Sequence, residues 1–332
     1  MRNFLVGSDD AAEAVLNGVL AVHPATIERV NGHWGVIYRG NKKRRIKIVV
    51  GGGSGHEPLF LGAVGPGMAD GAVAGSIFAA PNPGAILAVS EAVDAEEGVL
   101  LVYGNYAGDV LNFGFAAEEG AAKGLKIAEV RVHDDIASAP VAELGERRGT
   151  AGDIFVFKCA SAVADSGASI DEVVRLTELC NHRTRSLGVA LQAASSVETG
   201  KPMFELPIGQ MEVGMGLHGE MGVHRSDFEP ANLLVPRMVE LVVDDFRGSK
   251  IELKRVAVMV NGLGSTTILE LLAVSGFLRG ELMRRGIEAE YFGSGQFATS
   301  LDMAGFSITI TALTDELSRL LDAPCQSVAF TK

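Results

Sequence analysis

Three polar side chains that accompany glycine-rich stretches are the candidates for chemistry in this sequence. His56 lies in GGGSGHEP (residues 51–58), Asp109 ends GNYAGD (104–109) and His218 is the centre of GLHGE (216–220). Glycines let the backbone turn tightly and approach a ligand closely, because no Cβ stands in the way. A histidine beside a carboxylate can relay a proton from a hydroxyl group. Asp109 and one of the two histidines therefore fit an acid/base pair.

Each candidate also has a structural interpretation that requires no chemistry. His56 could simply follow a glycine turn, and Asp109 could be a helix N-cap, a position that favours Asp. His218 could be a turn residue in a glycine-rich hairpin. Residues 214–219 also match the dinucleotide fingerprint G-x-G-x-x-G, but the confirming βαβ context at the start of a sheet is missing.

The elements around these residues predict an α/β fold with a parallel sheet. Residues 46–50 and 99–103 are apolar runs typical of strands, and each leads into one of the glycine-rich stretches. A helix over 110–122 and a strand over 126–132 follow, and His133–Asp135 close that strand. Alternation of this kind implies a parallel sheet with helices on its faces. Ligands bind outside the carboxyl ends of such strands, where all these polar residues would lie.

The character of the sequence changes around Gly188, which divides the chain into two predicted domains. An N-terminal parallel-sheet α/β domain covers 1–186, and a second, smaller, two-layer α/β domain covers 187–332. Ser8 or Asp9 is expected to cap the first helix, which ends at Pro24. Further strands are predicted at 153–158, 189–194, 211–216, 255–260 and 307–311, and further helices at 84–93, 170–187, 230–246 and 266–285.

Composition and charge exclude several classes of protein. Of the 332 residues, 47% are hydrophobic and 21% charged, a balance typical of globular chains. The net charge of −12 argues against a general nucleic-acid surface. The longest apolar stretch, 256–278, is interrupted by polar residues, so we expect no membrane span. Three scattered cysteines fit a reducing cytoplasm and indicate neither a disulfide framework nor a zinc site.

Five segments together resemble one known family. They are GGGSGHEP (51–58), NYAGD (105–109), GLHGE (216–220), NGLG (261–264) and TSLDMAGFS (299–307). In this order they resemble the dihydroxyacetone kinase K-subunit family over nearly the whole chain. In that family the K subunit holds a short ketose, and a separate all-helical L subunit or domain supplies the phosphoryl group. The resemblance thus implies a cytoplasmic, homodimeric phosphotransferase subunit.

The resemblance also implies a role for each candidate residue. His218 would attack the C2 carbonyl and hold the ketose as a covalent hemiaminal. Asp109 would be the general base at the terminal hydroxyl, with His56 as its acid/base partner or as the group that orients the hydroxyl. Gly53 would give a backbone contact to the substrate. Because non-covalent affinity is capped at roughly −1.5 kcal/mol per heavy atom, a reversible bond helps to hold a triose and excludes glycerol.

The sequence lacks the motifs that would bind the nucleotide in such a reaction. No P-loop is present, because no Gly-Lys-Ser/Thr follows the glycines, and no aspartate cluster of the GDGD type occurs. No H-x-x-x-H or other metal-ligand spacing appears either. We therefore expect no metal or cofactor on this chain, and ADP or ATP with magnesium on the separate L subunit. Whether ATP or a phosphocarrier protein is the ultimate donor stays open.

Departures from the family pattern leave alternative functions to be weighed. Gly104 replaces a common Lys, Ala80 a frequent Ser and Met221 a usual Pro, so a four-carbon ketose such as erythrulose is an alternative substrate. A ketose-sensing regulatory paralogue that partners a transcription factor is a second alternative. The presence of His56 and Asp109 favours the kinase, since a sensor needs only His218. A dinucleotide oxidoreductase built on residues 214–219 is a third alternative.

Overall fold

The computed structural model describes residues 4–5, 10–40 and 43–332 of the chain. Within these residues, contacts divide the chain into two compact α/β units of similar length. The first unit contains the described residues between 10 and 132, together with Asp153–Asn181 and Arg319–Lys332. The second unit contains His133–Gly152 and His182–Ser318. The prediction of two α/β domains is thereby confirmed.

The first unit is built on a sheet in which parallel pairing dominates. The order of its described strands is β1-β2-β4-β3-β5-β6, and β4, β3, β5 and β6 pair in parallel. The strands are β1 Ile27–Arg29, β2 Gly35–Tyr38, β3 Lys47–Ser54, β4 Gly71–Ile77, β5 Val99–Gly104 and β6 Ile127–Val132. The helices are α1 Ala11–Val22, α2 Pro83–Val93, α3 Ala107–Ala122, α4 Asp153–Asp165 and α5 Ile170–His182.

Apolar residues of β3, β4 and β5 pack with α2 and α3 to form the core of this unit. Tyr103 of β5 stacks on Phe113 of α3, with ring centroids 4.2 Å apart. The buried strands carry few polar side chains, as expected of a sheet covered by helices. The packing fixes the start of α3 next to the carboxyl end of β5. The predicted parallel sheet is confirmed.

The second unit combines a mixed sheet with two long helices. The order of its described strands is β11-β10-β12-β7-β8-β9, with β10 and β11 parallel and the other pairs antiparallel. Residues of α6 and α7 pack with the strands in one apolar core. The elements are β7 Thr184–Gln192, β8 Gln210–Val213, β9 His224–Asp227, α6 Ala231–Gly248, β10 Arg255–Gly262, α7 Ile268–Arg284, β11 Glu288–Gly295 and β12 Ala304–Ala312. The last helix, α8 Asp315–Asp322, begins in this unit and ends in the first.

Two local predictions are wrong and one lies outside the described residues. Residues 153–158 are the first turns of α4 and not a strand. This helix is buried on almost all sides, so its apolar run lacks the polar face that reveals a helical period. The helix predicted over 170–187 ends at His182, and β7 begins at Thr184. The N-caps proposed at Ser8 and Asp9 fall outside the described residues.

The contacts do not follow a single boundary at residue 186. Residues 133–152, which precede that boundary, belong with the second unit, because the amide of Ser186 donates to the carbonyl of Asp134 (2.7 Å). Residues 319–332 belong with the first unit, where the Ser327 hydroxyl donates to the carbonyl of Gly62 (2.8 Å). The chain thus passes between the units several times. In the described residues, no helix has both the length and the apolar composition needed to cross a bilayer.

A buried ion cluster joins three segments of the second unit. Asp245 of α6 binds Arg147 through two hydrogen bonds (3.0 and 2.5 Å) and Arg185 of β7 through one (2.5 Å). Both arginine side chains are fully buried, and the guanidinium of Arg185 lies 5.1 Å from the ring centre of Phe246. Burying charges is unfavourable unless they are paired. One carboxylate therefore compensates two arginines.

We expect Asp245→Asn to lower the free energy of unfolding by about 3–5 kcal/mol, because it removes the carboxylate charge that pairs with two buried guanidinium groups. Urea unfolding followed by circular dichroism measures this change. The matched control is Asp244→Asn, which alters an exposed carboxylate paired with Arg247. An unfolding curve of Asp245→Asn that coincides with that of Asp244→Asn would contradict the prediction.

Candidate active site

The glycines before His56 form part of a strand and not the predicted loop. β3 continues to Ser54 and so includes residues 51–53. A Cβ on Gly52 would lie 2.3 Å from the ring of Phe60, and one on Gly53 would lie 2.8 Å from the amide of Ala79. These glycines therefore permit close approach of neighbouring groups. The actual turn comes at Gly55, whose φ of 103° suits glycine.

His56 is held between aromatic rings at the carboxyl end of β3. It is almost fully buried, and its imidazole stacks on Phe78 with ring centroids 4.8 Å apart and planes 12° apart. Phe60 meets it edge-on at 6.4 Å. Phe60 and Phe78 have φ values of 64° and 57°, a strained region for these side chains. Such strain is concentrated at functional sites and persists only where the surrounding structure enforces it.

Asp109 is the third residue of α3, and the capping interpretation is wrong. The N-cap is Tyr106, and α3 starts at Ala107, three residues before the predicted start. Asp109 is buried in the first turn, where the helix dipole favours a negative charge. β3 and β5 are neighbouring parallel strands, so their carboxyl ends place Gly53, His56 and Asp109 at the same edge of the sheet.

His218 lies in the second unit, in the connection between β8 and β9. Its Nδ1 is 3.1 Å from Oε1 of Glu220, and its backbone amide donates to Oε2 of the same carboxylate (3.0 Å). The imidazole is partly exposed. β8 and β9 pair antiparallel, so the glycine-rich residues 214–219 lie in a hairpin connection. The dinucleotide-binding alternative lacks the strand–helix context that it requires.

Glu220, Arg148 and Asp135 form a line of charges behind His218. Nη1 of Arg148 lies 3.7 Å from Oε2 of Glu220. Nε and Nη2 of the same arginine donate to Oδ2 of Asp135 (3.0 and 2.7 Å). Burial alone raises the pKa of Glu220, but the hydrogen bond from His218 and the charges of His218 and Arg148 lower it to about 2. Burial raises the pKa of Asp135 to about 6, although Arg148 opposes this.

Sequence reasoning assigned no role to these three charged residues. In the sequence Glu220 stands out only as part of a motif, and Asp135 only as the end of a strand. Arg148 lies in a segment with no motif or period that could have revealed it. One signal was available at Gly216. A Cβ there would lie 2.2 Å from Oε2 of Glu220 and 2.8 Å from Nη1 of Arg148, so this glycine makes room for the ion pair.

The remaining family segments support the loop that carries His218. The hydroxyl of Ser300 donates to the carbonyl of Leu217, next to His218. Asn261 donates to the carbonyl of Ala298 (2.8 Å) and accepts the amide of Ala298 (2.9 Å). The segments NGLG and TSLDMAGFS therefore act as a platform for the histidine loop. In the part of the chain that the structure describes, no group of three or more His, Cys, Asp or Glu side chains is arranged to hold a metal ion.

The fold and these segments define a two-unit α/β protein with a histidine-bearing loop in each unit. The chain belongs to the Dak1 domain family, whose model matches residues 17–329. It is 40% identical over 332 residues, 99% of each chain, to the dihydroxyacetone-binding subunit DhaK of PTS-dependent dihydroxyacetone kinase 2 from Listeria innocua serovar 6a. It is 43% identical over 288 residues to a D-erythrulose kinase of Mycolicibacterium smegmatis.

The relatives differ in length, and two solved structures superpose closely on this chain. The match covers 87% of this chain but 49% of the D-erythrulose kinase, so the chain spans about half the length of that relative. A dihydroxyacetone kinase operon co-activator superposes with a TM-score of 0.91 at 29% identity, covering 96% of this chain and 98% of that one. The dihydroxyacetone kinase of C. freundii, in complex with AMP-PNP and Mg²⁺, gives 0.90 at 31% identity, covering all of this chain and 60% of that one.

Proposed function

We propose that this chain is the ketose-binding subunit of a kinase that phosphorylates the terminal hydroxyl of a short ketose. The observation that carries the proposal is the pairing of β3 with β5, which brings His56 and Asp109 to one sheet edge in a Dak1 domain. A carboxylate and an imidazole at one edge suit the deprotonation of a hydroxyl. Relatives named as dihydroxyacetone and erythrulose kinases support the same chemistry.

His218 would bind the ketose through its carbonyl carbon. Nε2 of the imidazole adds to C2, the π pair of the carbonyl moves onto oxygen, and that oxygen takes a proton. Nδ1 releases its proton to water while the oxygen takes one from water, so a neutral ketose and a neutral imidazole give a neutral hemiaminal. The imidazole must be unprotonated at the attacking nitrogen, because imidazolium has no free lone pair. A polyol without a carbonyl cannot form this bond, which makes the step a filter for ketoses.

Asp109 would then act on the terminal hydroxyl of the held ketose. Its carboxylate accepts the hydroxyl proton as the oxygen attacks the γ-phosphorus, and ADP leaves when ATP is the donor. His56, fixed against Phe78, would orient that hydroxyl or share the proton. The amide of Gly53 would contact the substrate from the adjacent strand end. Phosphoryl transfer otherwise depends on positioning and charge neutralisation, which a metal-bound nucleotide on a helical L-type partner would supply.

The substrate is either a triose or a tetrulose. The Listeria relative is named as the dihydroxyacetone-binding subunit of a PTS-dependent kinase, which supports dihydroxyacetone and a separate L subunit, directly or by way of a phosphocarrier protein. The erythrulose kinases support a four-carbon ketose, as does Ala80, which replaces a Ser that is frequent in the family. We also propose that the chain is a cytoplasmic homodimer.

A ketose sensor is a second candidate function. The likeness to a dihydroxyacetone kinase operon co-activator supports it, since the superposition covers 98% of the co-activator chain at a TM-score of 0.91. A sensor would need the covalent bond to His218 but no base at the terminal hydroxyl. Asp109 in the first turn of α3 therefore favours the kinase. Turnover with a partner subunit separates the two candidates.

We expect His218→Ala to lose covalent ketose binding, because the nucleophile is removed. In the unsubstituted protein, the ¹³C signal of [2-¹³C]dihydroxyacetone should move from the carbonyl to the tetrahedral region on binding. His224→Ala, which alters an exposed histidine of β9, is the matched control and should keep the tetrahedral signal. Undiminished tetrahedral signal in His218→Ala would assign the bond to another residue.

We expect Asp109→Asn to lower the rate of phosphoryl transfer by about 10²–10⁴-fold, the usual contribution of a general base. Ketose binding should stay nearly unchanged, because the carbonyl is held by His218. Steady-state kinetics with an L-type partner and calorimetric titration with ketose measure the two quantities. Glu119→Gln on the exposed face of α3 is the matched control. Equal losses of binding and turnover would indicate that Asp109 is structural.

We expect the purified chain to show no ATP-dependent phosphorylation of ketose until a helical L-type subunit is added. The reason is that the sequence contains no P-loop and no GDGD aspartate cluster. A coupled assay with magnesium-ATP, run with dihydroxyacetone and with erythrulose, measures turnover before and after the addition. Turnover by the chain alone would reveal an overlooked nucleotide site. With partner present, the ratio of kcat/KM for the two ketoses identifies the substrate.

A further inference from the structure

The imidazole of His218 has two nitrogens, and its hydrogen bonds decide which one can react. A carboxylate only accepts hydrogen bonds when ionised, so Oε1 of Glu220 requires a proton on Nδ1, 3.1 Å away. The charge of Arg148 also lowers the pKa of Glu220, which favours the ionised carboxylate. Nε2 then carries the lone pair. The bond to Glu220 therefore selects one of the two neutral tautomers.

Glu220 is itself fixed from two sides. Its Oε2 accepts the amide of His218 (3.0 Å) and faces Nη1 of Arg148 at 3.7 Å. Arg148 reaches Asp135 through two nitrogens, and Asp135 also accepts the amide of Ala137 (3.0 Å). The Asp135 side chain is almost fully buried. Asp135 is thus held by the backbone, and Arg148 links this fixed carboxylate to Glu220.

The charge of Arg148 gives this line a second effect. Glu220 and Asp135 are two carboxylates on either side of one guanidinium, so the arginine offsets the repulsion between them. Its positive charge also makes Glu220 a weaker proton acceptor, which disfavours transfer of the Nδ1 proton to the carboxylate. Without Arg148, Oε2 of Glu220 would lose one of its two contacts, and the carboxylate would be held less firmly against the imidazole. The tautomer of His218 would then no longer be fixed.

We propose that Asp135, Arg148 and Glu220 are positioning residues that hold His218 with its proton on Nδ1 and present Nε2 as the nucleophile for a ketose carbonyl. The inference rests on the proposed function, because it takes His218 as the ketose-binding residue. It gives a role to Asp135, which the proposed chemistry of His56 and Asp109 does not use. It also explains Gly216, since any side chain there would displace both charged groups.

The tautomer of His218 is measurable without any ligand. Long-range ¹H–¹⁵N spectra of protein labelled with ¹⁵N-histidine distinguish a protonated from an unprotonated ring nitrogen, and His218→Ala assigns the signal. We expect the proton on Nδ1 in the unsubstituted protein. In Arg148→Gln and Glu220→Gln we expect a mixture of the two tautomers. We also expect ketose affinity to fall about 10- to 100-fold, as for loss of a charge-assisted hydrogen bond.

Two further variants make the result decisive. Arg148→Lys keeps the charge but loses the two-nitrogen contact with Asp135, so it should restore part of the affinity and of the Nδ1-protonated tautomer. Arg225→Gln removes an arginine paired with Glu212 in the neighbouring strand (2.6 Å) and should change neither quantity. A proton on Nε2 in the unsubstituted protein, or an Arg148→Gln variant that behaves like Arg225→Gln, would overturn the inference. Absence of ketose binding by the unsubstituted protein would overturn the proposed function instead, because the tautomer is read in ligand-free protein.

Discussion

The first unit depends on the absence of side chains along the second half of β3. Hydrogen bonds to β4 hold residues 51–53 in the sheet, and the missing Cβ atoms admit the Phe60 ring and the backbone near Phe78. Those two aromatic residues then enclose His56. Each has a positive φ, which costs of order 1–3 kcal/mol and needs tight packing to persist. The imidazole is therefore held by a strained frame that only a glycine strand accommodates.

The second unit holds its histidine by polar contacts instead of by aromatic rings. Two of its connections are tied by aspartates whose oxygens accept hydrogen bonds from backbone amides and hydroxyl groups. Asp134 accepts two amides and the hydroxyl of Thr150, and Asp302 accepts the amide and hydroxyl of Ser195. A carboxylate with both oxygens hydrogen-bonded is held in place, because an alternative position would lose these bonds. The loop with His218 lies on such a framework.

The sequence predicts the position of a residue well where its local pattern agrees with its role in the folded protein. Strands and glycines adjacent to His56, Asp109 and His218 predicted their placement at strand ends or in a hairpin, because both features act over a few residues. The extent of β3 was not predictable in this way. Its glycines suggest a turn, whereas the ring of Phe60, which requires Gly52, comes from eight residues later. Arg148 was hidden for a related reason, since its partners lie 13 and 72 residues away along the chain.

The adjacent arginines 147 and 148 serve different partners, and backbone geometry explains how. Arg147 has φ −72° and ψ 147°, an extended conformation in which successive side chains point to opposite sides. One guanidinium therefore enters the cluster with Asp245, and the next reaches Glu220. Inserting or deleting a single residue just before this pair would exchange the two directions. The length of this connection is thus as restricted as its composition, and a homologue that differs here by one residue would have to rebuild both ion pairs at once.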